Sequence, residues 1–305
     1  MKGARAGEVA PQASTLCRAL DGLEWAAHVG PYQALGCKVA IRVTDPALGG
    51  YLDRTLGSLA ADLAESESES EHLYSVVDPE PGRGRPVHLY FDGHQVAALA
   101  SPALALATLL WHLNRSAVAS LPGHLLLHAA ALEHGGEAIL LPGASGSGKT
   151  TLAAGLIMDG MGYLSDEVAA MEPSTFTLAP FPKPLTVKEG SWGALAGLAP
   201  LADDVPSPYR ERQWHLDPRR LRPGSIAGPC RPRLIVFPSY RAGAVTKVNP
   251  LGRAEAVALL ATQVFTLPDA GQRGLALLAD LVRTCDAFTL VVGDLEGACA
   301  ALRSL

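Results

Sequence analysis

Cysteine is scarce in this chain and carries no pattern. The five copies, Cys17, Cys37, Cys230, Cys285 and Cys299, are odd in number and widely spaced, and none forms a C-x-x-C pair. A disulfide framework or a zinc site is therefore not expected, and reduced thiols are. Charge of either sign is modest. The formal net charge of −5 offers no basic surplus, so no nucleic-acid partner is expected. Long apolar runs are missing too. The longest, Val96–Trp111, is short for a membrane span and is broken by Ser101-Pro102. Its second part reads as a core helix, with Ser101 as N-cap and Pro102 at the first helical position. The stretch Met1–Gln12 is polar and lacks a hydrophobic h-region, so no signal peptide is expected. No membrane partner is expected, and the expected location is cytoplasmic.

What is present is a large apolar fraction, 48% of 305 residues, enough for a full core and for two domains. The pattern divides the chain into an N-terminal α/β unit over 1–120 and a second unit over 121–305. In the first, Lys38–Val43 alternates like a strand and Leu48–Leu63 has helical spacing. The acidic run Glu65–Glu71 reads as a solvated, mobile loop. Strands are expected near Tyr74–Val77 and Val87–Phe91, joined by the loop Pro79–Arg85. A hairpin turn at Asp92-Gly93 then leads to Gln95–Leu99. In the second unit, Leu125–Leu132 and Ala138–Leu141 read as strands around the turn Glu133–Gly136. A helix follows over Thr151–Met158, ended by Asp159-Gly160 and Gly162. Tyr163–Ser165 is a short strand. Pro173–Pro232 is rich in Pro and Gly with little periodicity and reads as a long loop. Arg233–Phe237 and Phe288–Val292 are strands. Arg253–Thr266, Ala270–Thr284 and Leu295–Leu305 are helices.

The segment Gly143-Ala144-Ser145-Gly146-Ser147-Gly148-Lys149-Thr150 matches G-x-x-x-x-G-K-[ST] at every fixed position. It follows an apolar strand and opens a helix, which is the setting this pattern requires. A glycine-rich turn there lets successive backbone N–H groups converge at the positive end of the helix, a nest that fits a polyphosphate. Gly143, Ser145, Gly146, Ser147, Gly148, Lys149, Thr150 and Thr151 are the expected nucleotide contacts. Lys149 reaches the β/γ-phosphates in this pattern, and the Thr150 hydroxyl ligates Mg²⁺. ATP and Mg²⁺ are the cofactors this implies.

Phosphoryl transfer needs a phosphate cradle, metal ligands and, for a hydroxyl acceptor, a base. Asp166 and Glu167 stand at a strand end one crossover after Lys149. The crossover brings that strand back near the first, with both C-terminal ends on one edge. His128 lies on the strand before the hairpin. A lone histidine in an apolar strand is more often a satisfied core residue than a functional one.

The run from His128 to Asp166-Glu167 resembles the HPr kinase/phosphorylase family and its HPr-kinase-like relatives. Those have a histidine strand, a hairpin, a G-x-S-G-x-G-K-[ST] loop, a helix ending in Gly, and an Asp-Asp pair. The resemblance implies an α/β fold, a P-loop kinase domain related to phosphoenolpyruvate carboxykinase with an N-terminal α/β domain. It implies transfer of the γ-phosphate of ATP to a serine hydroxyl of a peptide or protein. By resemblance Asp166 is the catalytic acid/base, His128 the active-site histidine, Lys149 a catalytic cation, and Glu167, with Thr150, a metal contact. A homo-oligomer is also implied. The chain departs from the family at Ala129, where the family has Gly, and at Glu167, where it has Asp. It also lacks the glycine-rich signature after the acidic pair. Pro180–Trp192 resembles the divergent HPr-kinase-like subgroup, often linked to peptide-modification pathways including lasso peptides, so HPr itself is not the expected acceptor.

Lys183, Lys188 and Arg241 are further cations that could meet a transferring phosphoryl group. Each taken singly is more often a solvated surface charge. Trp214 and His215 stand out only by lying in the long loop. A small-molecule kinase and a non-catalytic nucleotide-binding regulatory module remain as alternatives. An ABC-type ATPase is disfavoured, because no L-S-G-G-Q signature exists and the acidic pair follows the loop too soon.

Overall fold

The computed structural model describes residues 20–60, 71–80, 83–202, 205–210, 212–265 and 267–305. The architecture is mixed α/β, as the strand and helix signals imply. In the first sheet β1 (Ala27–Ala34), β2 (Cys37–Val43), β3 (His72–Val77), β4 (Val87–Phe91) and β5 (His94–Leu99) lie side by side in chain order. Neighbours are antiparallel except β2 and β3, which run parallel. The Pro46–Leu56 helix lies between those two in sequence. Parallel neighbours need such a crossover. Asp92 and Gly93 both have positive φ, 49° and 76°, as a two-residue hairpin turn between twisted strands requires. The Pro102–Ala119 helix starts where expected, with Ser101 Oγ accepting from the Leu104 N–H. Val39, Ile41 and Val43 of β2 are buried with Leu48, Leu52 and Leu56 of the first helix and Leu106, Leu109 and Leu113 of the second.

The second sheet holds β6 (Leu125–His134), β7 (Glu137–Pro142), β8 (Gly162–Ser165), β9 (Val168–Met171) and β10 (Leu178–Ala179). Its later strands are β13 (Arg231–Tyr240), β14 (Lys247–Pro250) and β15 (Asp286–Val292). The order is β10-β9-β6-β7-β13-β15-β14, with β8 also pairing β6. β7, β13 and β15 are parallel, and β6 runs against β7. Both faces are covered, as a parallel centre demands. Leu132, Leu141, Val236 and Leu290 pack against Leu152 and Leu156 of the Lys149–Met158 helix and Leu302 of the Leu295–Arg303 helix. Ala129, Ala131, Leu140 and Ile235 face the other way, onto Leu260 of the Arg253–Ala261 helix and Leu278 and Leu281 of the Leu267–Thr284 helix. Leu126, Val168, Ala170 and Phe181 join the buried cluster of the first sheet, so the two sheets share apolar contact.

The crossover from β7 returns differently from a simple neighbour. β8 is antiparallel to β6, which is antiparallel to β7, so β8 parallels β7 with β6 between them. The C-terminal ends of β7 and β8 still share one edge. The N-terminal half of β6 reaches that same edge, because Ala129 pairs with Pro142.

Several expectations are corrected. The helix expected over Leu48–Leu63 ends at Leu56 and tightens into a 3₁₀ turn, Gly57–Leu59. Arg253–Thr266 ends at Ala261, and the next helix begins at Leu267. Pro173–Pro232 is not a featureless loop. It contributes β10, an antiparallel pair β11 (Leu185–Lys188) and β12 (Gln213–Leu216), and a helical turn, Pro218–Leu221. Its Leu185, Val187, Leu195, Leu198 and Leu216 are buried in the cluster of the Lys149–Met158 helix. Strands β1, β9 and β14 were not expected. The acidic run, apart from Glu71, and Met1–Gln12 lie outside the described residues. Cys37, Cys230, Cys285 and Cys299 are free. Among the described residues no helix is long and apolar enough to cross a membrane.

Candidate functional site

The shared edge of β6, β7 and β8 opens into a cleft of about 930 Å³. At its floor, the Gly143–Thr150 loop turns from β7 into the Lys149–Met158 helix. Gly146 and Gly148 have φ of 88° and 95°, which only glycine adopts without strain. A side chain on Gly143 would come within 2.8 Å of Ser147 Oγ, so the turn also needs glycine for space. Lys149 is buried and folds back over the loop, donating from Nζ to the carbonyls of Gly143 and Ala144 (2.5 and 3.1 Å). Burial lowers its pKa, partly offset by Glu167 and Asp166. Ser145 Oγ accepts from Lys188 Nζ at 3.1 Å. Ser147 Oγ is buried with no hydrogen-bond partner. Thr150 lines the cleft, and Thr151 Oγ1 donates to Ser191 Oγ at 2.6 Å.

Asp166 and Glu167 sit just past β8 and differ sharply. The Asp166 side chain is 1% exposed, that of Glu167 41%. Asp166 Oδ1 receives the Tyr163 hydroxyl at 3.0 Å and Lys183 Nζ at 2.9 Å. Asp166 Oδ2 is buried and has no partner, yet Asp166 lines the cleft. Glu167 keeps longer ion contacts of 3.9 Å, to Lys183 and to His128 Nε2.

The cations are graded by environment. Burial pulls the Lys183 pKa down, but Asp166 and Glu167 outweigh it and the net shift is upward, so Lys183 stays charged. His128 is shifted down, first by burial and then by Lys149, with the two carboxylates opposing. His215 is shifted down to about 4, by burial and by Lys183. It lines the cleft beside Thr186, whose hydroxyl lies 3.4 Å from its Nδ1. Tyr163 is held well above its ordinary value by complete burial and by Asp166, so its hydroxyl keeps its proton and donates it.

The structure brings most of the sequence-selected residues together. His128, Ser145, Gly146, Gly148, Lys149, Thr150, Thr151, Asp166 and Glu167 line one cleft, while Gly143 and Ser147 belong to the loop without lining it. Lys183 and Lys188 line it as well; Lys183 is buried, whereas Lys188 is exposed and reaches the loop through Ser145. Arg241 does not line it. Trp214 stacks on Trp192 with ring centroids 5.1 Å apart and serves packing. Tyr163 and Ser191 were not anticipated. The signal for Tyr163 was there: a tyrosine in a buried strand needs a partner for its hydroxyl. Among the described residues no group of three or more His, Cys, Asp or Glu side chains could hold a metal ion unaided. Thr150 and Glu167 offer oxygen donors, the kind that suits Mg²⁺ sharing its shell with phosphate and water.

Compared with protein-family models and with curated proteins, the chain matches none.

Proposed function

We propose that the chain is an ATP-dependent kinase that phosphorylates a hydroxyl, a serine of a peptide or protein, with the P-loop kinase fold of HPr-kinase-like proteins. The observation that carries this reading is Asp166 Oδ2, a buried carboxylate oxygen without a partner, in the same cleft as the Lys149 loop. An unsatisfied buried acceptor costs about 1–3 kcal/mol, and a donor supplied by a bound hydroxyl relieves it. Lys183 and Tyr163 fix the other oxygen, so Oδ2 has a set direction. In this reading Oδ2 takes the acceptor's proton. Lys149, released from Gly143 and Ala144, and Lys188, released from Ser145, hold the negative charge that moves during transfer. His128 stays neutral and orients Glu167. Thr150 and Glu167 would hold Mg²⁺, which supplies charge neutralisation. ATP supplies the phosphoryl group, the acceptor oxygen gaining the bond to phosphorus that the β–γ bridging oxygen loses.

Asp166→Asn keeps the shape of the site and removes the base. It is expected to retain ATP affinity and lose about 10²–10⁴-fold in transfer. The measurement is phosphate mass gain on serine peptides and on HPr, beside calorimetric ATP binding. Equal transfer by wild type and variant would remove Asp166 from the chemistry. A second reading, a nucleotide-binding module without catalysis, is favoured by the Lys183 ion pair, which already engages Asp166 Oδ1 at 2.9 Å. It predicts ATP binding with no transfer by either protein.

A further inference from the structure

The cleft continues past the carboxylates. Its wall there is mainly apolar and comes from the Pro102–Ala119 helix, as Ala107, Leu110, Trp111 and Leu113, with Leu56 and Phe181; Asn114, whose buried Oδ1 has no partner, is the polar residue this helix adds. Leu104, Ala107 and Trp111 follow at helical spacing and share one stripe. Leu104 and Trp111 are 46% and 58% exposed, large areas for such residues. Leu104 stands outside the cleft, about 10 Å along the helix from Trp111. The stripe therefore starts inside the cleft and runs onto open surface. Arg115 braces the indole, its guanidinium carbon 5.6 Å from the ring centroid.

Tyr240 and Val292, at the ends of β13 and β15, and Leu295, at the start of the last helix, line the cleft on the side of the loop away from β6, because β7 stands between β6 and β13 in the sheet. The loop lies between the two ends. A polyphosphate on the loop with its terminal phosphate toward Asp166 directs the rest of the nucleotide to the Tyr240 end. The Trp111 end is left for the acceptor.

We infer that the Trp111 stripe is the acceptor subsite and takes a peptide with a bulky apolar side chain beside the phosphorylated serine. This rests on the kinase reading above. The occupant is a chain rather than an enclosed small molecule because the apolar stripe outruns the cleft. Its contact residues are apolar because Leu104, Ala107 and Trp111 carry no charge and the neighbouring Arg115 guanidinium is already engaged on the indole.

The test uses two serine peptides of equal length, one with Leu or Phe beside the serine and one with Gly. Binding is read by calorimetry and transfer by mass, for wild type, Trp111→Ala and Leu104→Glu. Wild type is expected to prefer the apolar peptide by about tenfold or more, and both variants to lose that preference with ATP affinity unchanged. Leu104→Glu alters only an exposed position, so a folding defect in Trp111→Ala does not blunt the test. Equal use of both peptides by wild type overturns the subsite and leaves the kinase reading standing. Preferential, Trp111-dependent binding without transfer supports the apolar peptide site and overturns the kinase reading. If Trp111→Ala changes only the association of copies in sedimentation, the stripe is a self-contact and the subsite is overturned.

Discussion

The two sheets solve the same packing problem with different consequences. The first, in chain order and mostly antiparallel, puts apolar residues under two helices. The second is covered on both faces around parallel strands. Covering both faces leaves the strand ends as the place where polar groups can gather. There Lys149, Asp166, Lys183 and His215 are all buried, each held by charge or hydrogen bonds. The first sheet buries charge too, but apart: Lys38 near the start of β2 and Asp78 just past the end of β3 lie at opposite ends of two parallel strands, beside neutral contacts such as the Tyr74 hydroxyl and His112 Nδ1, 2.8 Å apart. Parallel topology concentrates charge at one edge, whereas the antiparallel meander spreads polarity along its length.

Substitutions in each region break or sharpen this contrast. The largest effect is expected from Lys183→Met, which strands Asp166 as a buried charge held by one phenol. It is expected to cost about 3–5 kcal/mol in urea unfolding, with part recovered in the double variant Lys183→Met/Asp166→Asn. A cost below ~1 kcal/mol would show the charged edge to be no more demanding than the first sheet.

Acid titration comes next. His215 has its folded pKa depressed to about 4 from 6.5, so the unfolded chain binds its proton first. Its contribution to stability is complete above pH 6.5 and is lost as pH falls from there toward 4. The loss amounts to about 3 kcal/mol across that window. His215→Gln is expected to flatten this part of the pH dependence, measured as unfolding free energy at pH 7 and pH 4.5. An unchanged difference between the two pH values would mean that His215 does not carry it.

The smallest effect belongs to the first region. Ser101→Ala removes the cap of the Pro102–Ala119 helix and is expected to cost about 1 kcal/mol in thermal unfolding, with no change in ATP affinity. A change in ATP affinity would mean that the helix wall and the loop are coupled.

The most legible part of the site was the part made by consecutive residues. The Gly143–Thr150 loop, the strand before it and the helix after it follow from glycine, lysine and apolar spacing within a few turns. His128 and Asp166 were reachable because hairpin and crossover lengths return them to one edge. Lys183 was not. It sits in Phe181-Pro182-Lys183-Pro184, where prolines erase periodicity, and its meaning comes from a partner on another element. The same holds for His215, whose strand pairs with Leu185–Lys188 across a long stretch of chain. Strand β1 was hidden by Gly30-Pro31, where the pairing with β2 shifts register. Strand β14 is short and carries no buried residue to announce it.

Lys149 already has two acceptors in its own loop. Anything that takes it must replace two carbonyls and compensate for opening the turn. A neutral ligand gains nothing from that exchange, whereas a multiply charged anion gains the full strength of a desolvated ammonium. On the proposed reading the loop is a threshold: it would answer to charge density before shape, its lysine staying sheltered from solvent until a group of sufficient charge arrived.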